Sequence, residues 1–222
     1  VEAERAYLEE VTRRLQEILR PALVGVYVGG SWALGGYEPG RSDLDVSVVV
    51  RVPLGDEGAQ QVVAALRHEA LPCPARALEL VVYTLAVVGS TATEPGFELN
   101  LNTGAGAALR ADREAQPGER AWFAIDRTLL ATRGEALFGP PAREVFAEIP
   151  PASLRPLLAE VLRWYAQEDP ESEDAILNAG RSLRFAQDGI WLPKPALRSW
   201  EAEQTETNAE ILARAIAELE AG

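Results

Sequence analysis

The sequence predicts an α+β protein in two parts: a mixed sheet flanked by helices over residues 1–150, then an all-helical bundle over residues 151–222. Three observations lead there. Short apolar, β-branched runs are interleaved with helical patterns in the first part. The segment EIPPASL (Glu148–Leu154) interrupts the chain with paired prolines. Beyond it only helical periodicity remains, and no internal repeat or low-complexity segment is visible.

Taken in order, residues 1–20 read as an amphipathic helix, because Leu8, Val11, Leu15 and Ile18 recur at spacings of three and four. Leu23–Val28 and Leu44–Val50 are strands, and Ala59–Leu71 is a helix with Val62, Val63, Leu66 and Ala70 on one side. Ala77–Tyr83 is a third strand, and Phe97–Leu101, alternating with period two, a fourth. Thr103–Gly118, rich in Gly and Ala, reads at least partly as a loop. Ala121–Arg133 is helical and is followed by a short apolar piece, EALFGPP. Pro151 or Ser153 opens the first helix of the second part, about 152–167, with others near 172–188, 194–204 and 206–220. The last carries Ile211, Leu212, Ala215, Ile216 and Leu219 as a stripe.

Composition narrows the function classes. Of 222 residues 47% are apolar, enough for a sizeable core. No apolar run approaches the roughly eighteen residues of a membrane span, and the charged, helical start at Val1 lacks the basic-then-apolar pattern of a leader. The net charge of −13 opposes a phosphate backbone, so nucleic acid is not the expected partner; a cationic one suits better. A single cysteine, Cys73, excludes an internal disulfide and fits a reducing, cytoplasmic setting. One histidine and one cysteine cannot build a Cys/His zinc site. The histidine, His68, sits in ALRHEAL and reads as a surface or boundary residue rather than a base.

The chemistry concentrates in LVGVYVGGSWALGGYEPGRSDLDVSVVV, Leu23–Val50. Asp43 and Asp45, two apart at the mouth of a strand, face one side of it while Leu44 and Val46 face the other. Carboxylates that close repel unless a cation lies between them, and Mg²⁺ accepts such oxygen ligands together with substrate phosphates. Glu79, between Leu78 and Leu80, is a third acid in an otherwise buried strand. Gly29, Gly30 and Ser31 end the first strand, and Ser31 could cap a short helix whose N–H groups would receive an anion. A phosphate-holding turn and a metal-holding acid pair about twelve residues apart suit phosphoryl or nucleotidyl transfer. A P-loop is excluded, because no Gly-Lys-Ser/Thr follows the glycines, and so is a nucleophile elbow, because Ala33 stands where a glycine would be needed.

This pattern, Gly-Ser and then Asp-x-Asp opening an apolar strand, resembles the nucleotidyltransferase superfamily that includes DNA polymerase β. Within it the chain resembles the aminoglycoside adenylyltransferases of the streptomycin/spectinomycin (3″ and 9) type. The likeness runs from about residue 23 to 200, through ARALELVVYT, LFGPPAREVFAEIP and LNAGRSLRFAQDGIWLPKPALRSW. It implies that residues 1–150 are the nucleotidyltransferase domain. It implies that Gly30, Ser31 and Ser42 hold nucleotide phosphates, that Asp43 and Asp45 bind two Mg²⁺, and that Glu79 is the general base and faces the acceptor. Arg181 and Lys194 would reach the triphosphate, with Arg184 one turn on as the alternative to Arg181. Glu171, or next Asp174, would face a cationic drug. The expected partners are ATP and a small, cationic, hydroxylated substrate, with the protein a monomer or homodimer. One departure is Gly104, which stands where the family has a tryptophan that helps enclose the drug, so the acceptor stays open. Two further readings stand beside this one: the same chemistry on a protein or another small molecule, and a nucleotide- or cation-binding protein without catalysis.

Overall fold

A computed structural model describes residues 1–116 and 118–221. Helix α1 (Glu2–Leu19) leads into strand β1 (Leu23–Val28), a short helix α2 (Gly30–Ala33), β2 (Leu44–Val50), α3 (Asp56–Leu66), β3 (Leu78–Thr84), α4 (Leu85–Val88), β4 (Phe97–Gly104) and β5 (Ala107–Asp112). Helix α5 (Arg120–Arg133), β6 (Glu135–Phe138) and α6 (Ala142–Val145) close the first part. Helices α7 (Pro151–Glu168), α8 (Glu173–Asp188), α9 (Lys194–Glu201) and α10 (Asn208–Ala221) make the second. The fold is α+β, a mixed sheet with flanking helices. Among the described residues no helix is long and apolar enough to cross a membrane.

The six strands lie in the order β5-β4-β3-β2-β1-β6. Only β2 and β3 pair in parallel; the other pairs are antiparallel. The parallel pair needs a crossover, which α3 supplies. One face of the sheet, with Val46, Val48, Leu78, Leu80, Leu99 and Leu101, packs under α1 and α3 through Leu8, Val11, Leu15, Val62 and Leu66. The other face is covered by α5.

One expectation is corrected and two are sharpened. Thr103–Gly118 is partly loop among the described residues, as expected, and also holds a strand: β4 continues to Gly104 and a tight turn at Ala105–Gly106 returns β5 beside it, paired from Gly104–Ala107 to Asn100–Asp112 across a bulge. Small residues hid this strand, because an edge strand with solvent on one side needs no apolar run. Helix α3 begins at Asp56, where Asp56 and Glu57 suit the positive helix start, and ends at Leu66, short of Leu71. EALF is strand β6, paired with β1.

Helix α5 belongs to two cores. Phe123, Leu130 and Ala131 pack on the sheet side with Tyr27, Tyr83 and Phe97. Ala121, Ala124, Ile125 and Leu129 pack with Leu158, Leu162, Ile176 and Leu183 of α7 and α8. Between these faces Arg127 is 2% exposed and donates to the carbonyls of Val87 (3.0 Å), Ala92 (2.5 Å) and Glu94 (3.2 Å). It thereby ties α5 to the segment between α4 and β4. Arg127→Leu leaves these carbonyls without their donor, at a cost of about 2–3 kcal/mol. The expected result is a midpoint of thermal unfolding lowered by roughly 4–12 °C; an unchanged midpoint would show that the tie contributes nothing.

Candidate active site

Strand register assembles the site. Asp45 lies opposite Glu79, Glu79 opposite Asn102, and Asn102 opposite Arg110. A polar row therefore crosses β2, β3, β4 and β5 on one face of the sheet, because residues in register share a face. The next row on that face is Ser47, Val81, Asn100 and Asp112. Helix α5 stands over these rows, and Trp122, Phe123, Asp126 and Leu130 complete a cavity of about 260 Å³.

Asp45 is held against the β1–α2 turn. The Gly29 N–H donates to the Asp45 carbonyl at 2.8 Å. Gly30 has φ +51°, and a Cβ there would lie 1.8 Å from Asp45 Oδ2, so only glycine allows the turn and the carboxylate to share this space. The helix cap is Gly29, not Ser31. The positive φ turns the chain one residue earlier than a serine cap would, and Ser31 falls inside the first turn. Its Oγ is buried and has no hydrogen-bond partner within the protein.

On the other side of Asp45 a second cavity, about 310 Å³, opens between the sheet and the helical bundle. Ser31, Ser42, Asp43, Asp45, Asp126, Asp174, Arg181 and Lys194 all line it. Ser42 closes the preceding turn, its Oγ accepting from the Glu38 N–H at 3.0 Å. Asp43 precedes β2 and receives both the Arg76 Nε (2.9 Å) and an Arg76 Nη. Arg181 comes from α8, its Nε donating to the Leu192 carbonyl at 3.4 Å. Lys194 pairs with Asp174 at 2.9 Å. It is positioned by its neighbours: Pro193 and Pro195 lie so close to Gly36 that a Cβ there would come within 2.7 Å of Pro193. Arg198 joins the two halves of the protein, reaching Glu38 at 2.8 Å and Glu173 at 2.5 Å. The two cavities share Gly30, Asp45 and Asp126.

Comparison with known proteins follows the same outline. Residues 8–70, from within α1 to beyond α3, match the nucleotidyltransferase domain family. Over 205 residues the chain is 29% identical to aminoglycoside (3″) (9) adenylyltransferases of Klebsiella pneumoniae and Shigella flexneri, covering 89% of this chain and 78% of each relative. The chain thus resembles nucleotidyltransferases through residues 8–70 and these adenylyltransferases over most of its length. Its fold also matches the crystal structure of a spectinomycin adenyltransferase from Enterococcus faecialis with ATP and spectinomycin, at TM-score 0.66 and 18% identity, over 97% of this chain and 99% of that one.

Not every residue singled out in the sequence reaches the two cavities. Glu171 lies exposed in the turn before α8 and lines neither cavity. Arg184 pairs with Asp188 at 2.6 Å on the outer side of α8. Gly104 is outside both cavities, and a Cβ there would lie 2.5 Å from the Arg76 carbonyl, so this backbone has no room for a side chain. His68 is half-buried and structural, its Nδ1 accepting from the Cys73 N–H at 3.1 Å.

Sequence reasoning missed Asp126, Asn100, Asn102, Arg110 and Arg198. Asp126 was the hardest to see, an acid in a helix rich in apolar residues whose two faces are both packed. Its carboxyl is pushed up to about 7, first by burial under the cleft walls and then by the negative charge of Glu79, with Arg181 opposing. Asp45 is raised well above the usual carboxylate range by burial, then by Glu79, Asp126 and Asp43. Burial also raises Glu79, as does Asp43, while Arg76, Arg110 and Lys194 pull it down. Glu79 and Asp126 keep contact with water through the cavity, which tempers both shifts.

This crowding suits a hard divalent cation. Asp43 and Asp45 are the carboxylates that would hold Mg²⁺, and the Arg76 guanidinium on Asp43 shows that this oxygen set takes positive charge. No described group of three or more His, Cys, Asp or Glu side chains forms a closed metal cage. An open pair completed by substrate phosphates fits that finding.

Two expectations test the site. With its pKa raised from the unfolded value to about 7, Asp126 binds more protons folded than unfolded across that window, so it erodes stability as pH rises from about 4 to 7. Asp126→Asn should therefore raise the unfolding midpoint near pH 8, with the gain vanishing near pH 4; a gain independent of pH would exclude the charge as its cause. Gly30→Ala should cost roughly 1–3 kcal/mol, because the new methyl must displace the Asp45 carboxylate. Denaturant titration reads this directly, and wild-type stability would mean that the turn yields freely.

Proposed function

We propose that this protein is a nucleotidyltransferase that moves AMP from ATP to a hydroxyl of a small, cationic acceptor of the aminoglycoside or aminocyclitol kind. The observation that carries the reading is the position of the Asp45–Glu79 pair. It stands where a cavity bearing Arg181, Lys194 and Arg198 meets a cavity bearing Glu79, Asp126, Asn100 and Asn102. The first sets these cations beside Asp43 and Asp45, the mix of basic groups and metal-holding acids that a Mg²⁺-bound triphosphate uses. The second has the acids and amides for a hydroxylated amine. The names of the similar proteins, which act on aminoglycosides or were solved with ATP and spectinomycin, support the same division.

In this reading Ser31 and Ser42 bind phosphate oxygens, which gives the buried Ser31 hydroxyl the partner it lacks within the protein. Arg181 and Lys194 reach the triphosphate from the helical half. Mg²⁺ on Asp43 and Asp45 would neutralise charge on the α-phosphate. Glu79 takes the proton of the acceptor hydroxyl, and a carboxylate raised by burial is a stronger base than one in water. The freed oxygen bonds to the α-phosphorus as the bond to the pyrophosphate oxygen breaks. Pyrophosphate leaves toward Ser31, Arg181 and Lys194, and AMP stays on the acceptor. Asp174 lies on the triphosphate side, paired with Lys194, so it would hold that lysine in place rather than face the acceptor.

Glu79→Gln removes the base and keeps the shape. Pyrophosphate release with ATP, Mg²⁺ and a panel that includes streptomycin and spectinomycin should fall at least about 100-fold, with ATP affinity by calorimetry within about threefold of wild type. Release by the variant at the wild-type rate would remove Glu79 from the mechanism.

A further inference from the structure

Trp122 lines the cavity that holds Glu79 and Asp126, and it also lines a second cavity of about 440 Å³ on its far side. That outer cavity is bounded by Glu119, Glu160, Trp164 and Gln167, from the start of α5 and from α7. Apart from Trp122, only Glu119 borders both, and Glu119 is occupied by Arg110 at 2.7 Å. Trp122 thus stands between the two cavities and borders each of them. It is half-buried, seated against the helical core, so its ring is a fixed surface.

The chemistry of the two sides is matched. The inner side offers Glu79 and Asp126, and the outer side offers Glu160, exposed and in no ion pair among the described residues. The one outer cation, Arg163, is turned to Glu220. Between these acids lies an indole face, which attracts protonated amines and packs the C–H faces of saturated rings. The inner cavity by itself, about 260 Å³, falls short of the ~300–1,000 Å³ that hosts a drug-sized molecule; with the outer one it lies inside that range.

We propose that Trp122 is the platform on which the acceptor lies, and that the acceptor is a polyamine of at least two saturated rings. One ring presents its hydroxyl to Glu79, and the next crosses Trp122 to bring an amine to Glu160. The proposal rests on the adenylyl-transfer reading, whose acceptor class it sharpens.

The test is calorimetric titration of wild type, Trp122→Ala, Trp122→Phe and Glu160→Lys with streptomycin, kanamycin and the one-ring amine 2-deoxystreptamine, alongside pyrophosphate release. Streptomycin or kanamycin should bind Trp122→Ala at least about tenfold more weakly than wild type and Trp122→Phe within about threefold, because a ring face is what the site uses. Glu160→Lys, a change at an exposed position that spares the fold, should weaken the same ligands about three- to tenfold. The one-ring amine should bind all four proteins alike. Equal affinity of wild type and both Trp122→Ala and Glu160→Lys for the larger ligands overturns the platform, and pyrophosphate release by wild type in that case leaves the transfer reading standing. One-ring binding as tight as that of the larger ligands overturns the two-ring acceptor. Trp122-dependent binding with no pyrophosphate release keeps the platform and overturns transfer, whereas no binding and no release with any of the three overturns both.

Discussion

Two carboxylates face each other across a parallel strand pair, and much of the molecule is arranged around that repulsion. Asp45 and Glu79 are fixed in register by the backbone, so neither can retreat without breaking the ladder between β2 and β3. Asp126 closes over them from α5, and Asp43 adds a fourth charge at the rim. Every nearby cation answers this field. Arg76 lies on Asp43, Arg110 approaches from the edge strand, and Arg181 is drawn into a position where burial disfavours its own charge. The cluster costs stability by itself, and its retention is intelligible where bound positive charge and substrate phosphate complete it.

The strand pair also divides the labour of the cleft. On the bundle side the loop carrying Lys194 is pressed onto Gly36, and Arg198 bridges Glu38 and Glu173, so a wall of paired acids and bases is fixed by contacts between the two halves. On the sheet side the wall is made of amides, acids and an indole. In the proposed reading a triphosphate and an acceptor would take different surroundings within one gap, with Asp45 and Glu79 on the line between.

Much of this was legible in the residues. Asp43, Asp45 and Glu79 announced themselves because charge inside apolar strands demands a reason, and alternation gave Asp45 and Glu79 a side of the strand. Lys194 between two prolines, and Arg181 thirteen residues before it, were marked by local misfit and by family likeness. What stayed hidden depends on contacts distant in sequence. Strand β5 exists because β4 offers it an edge, not because AALRAD is a strong strand former. Asp126 and Trp122 read as ordinary members of an amphipathic helix until α5 is seen to be enclosed on two sides. Ser31 failed as a cap because the neighbouring glycine takes a conformation that spacing does not reveal. Glu171 drew attention through family likeness, and in the fold it lies exposed in the turn before α8, while Glu173 and Asp174 just beyond it line the cleft.

The double membership of α5 sets how this cleft can work. Ala124 and Ile125 are committed to the helical core while Phe123 and Leu130 are committed to the sheet core. Swinging the halves apart would tear one helix from one of its beds, so the gap behaves as a slot milled in a single block rather than as a jaw.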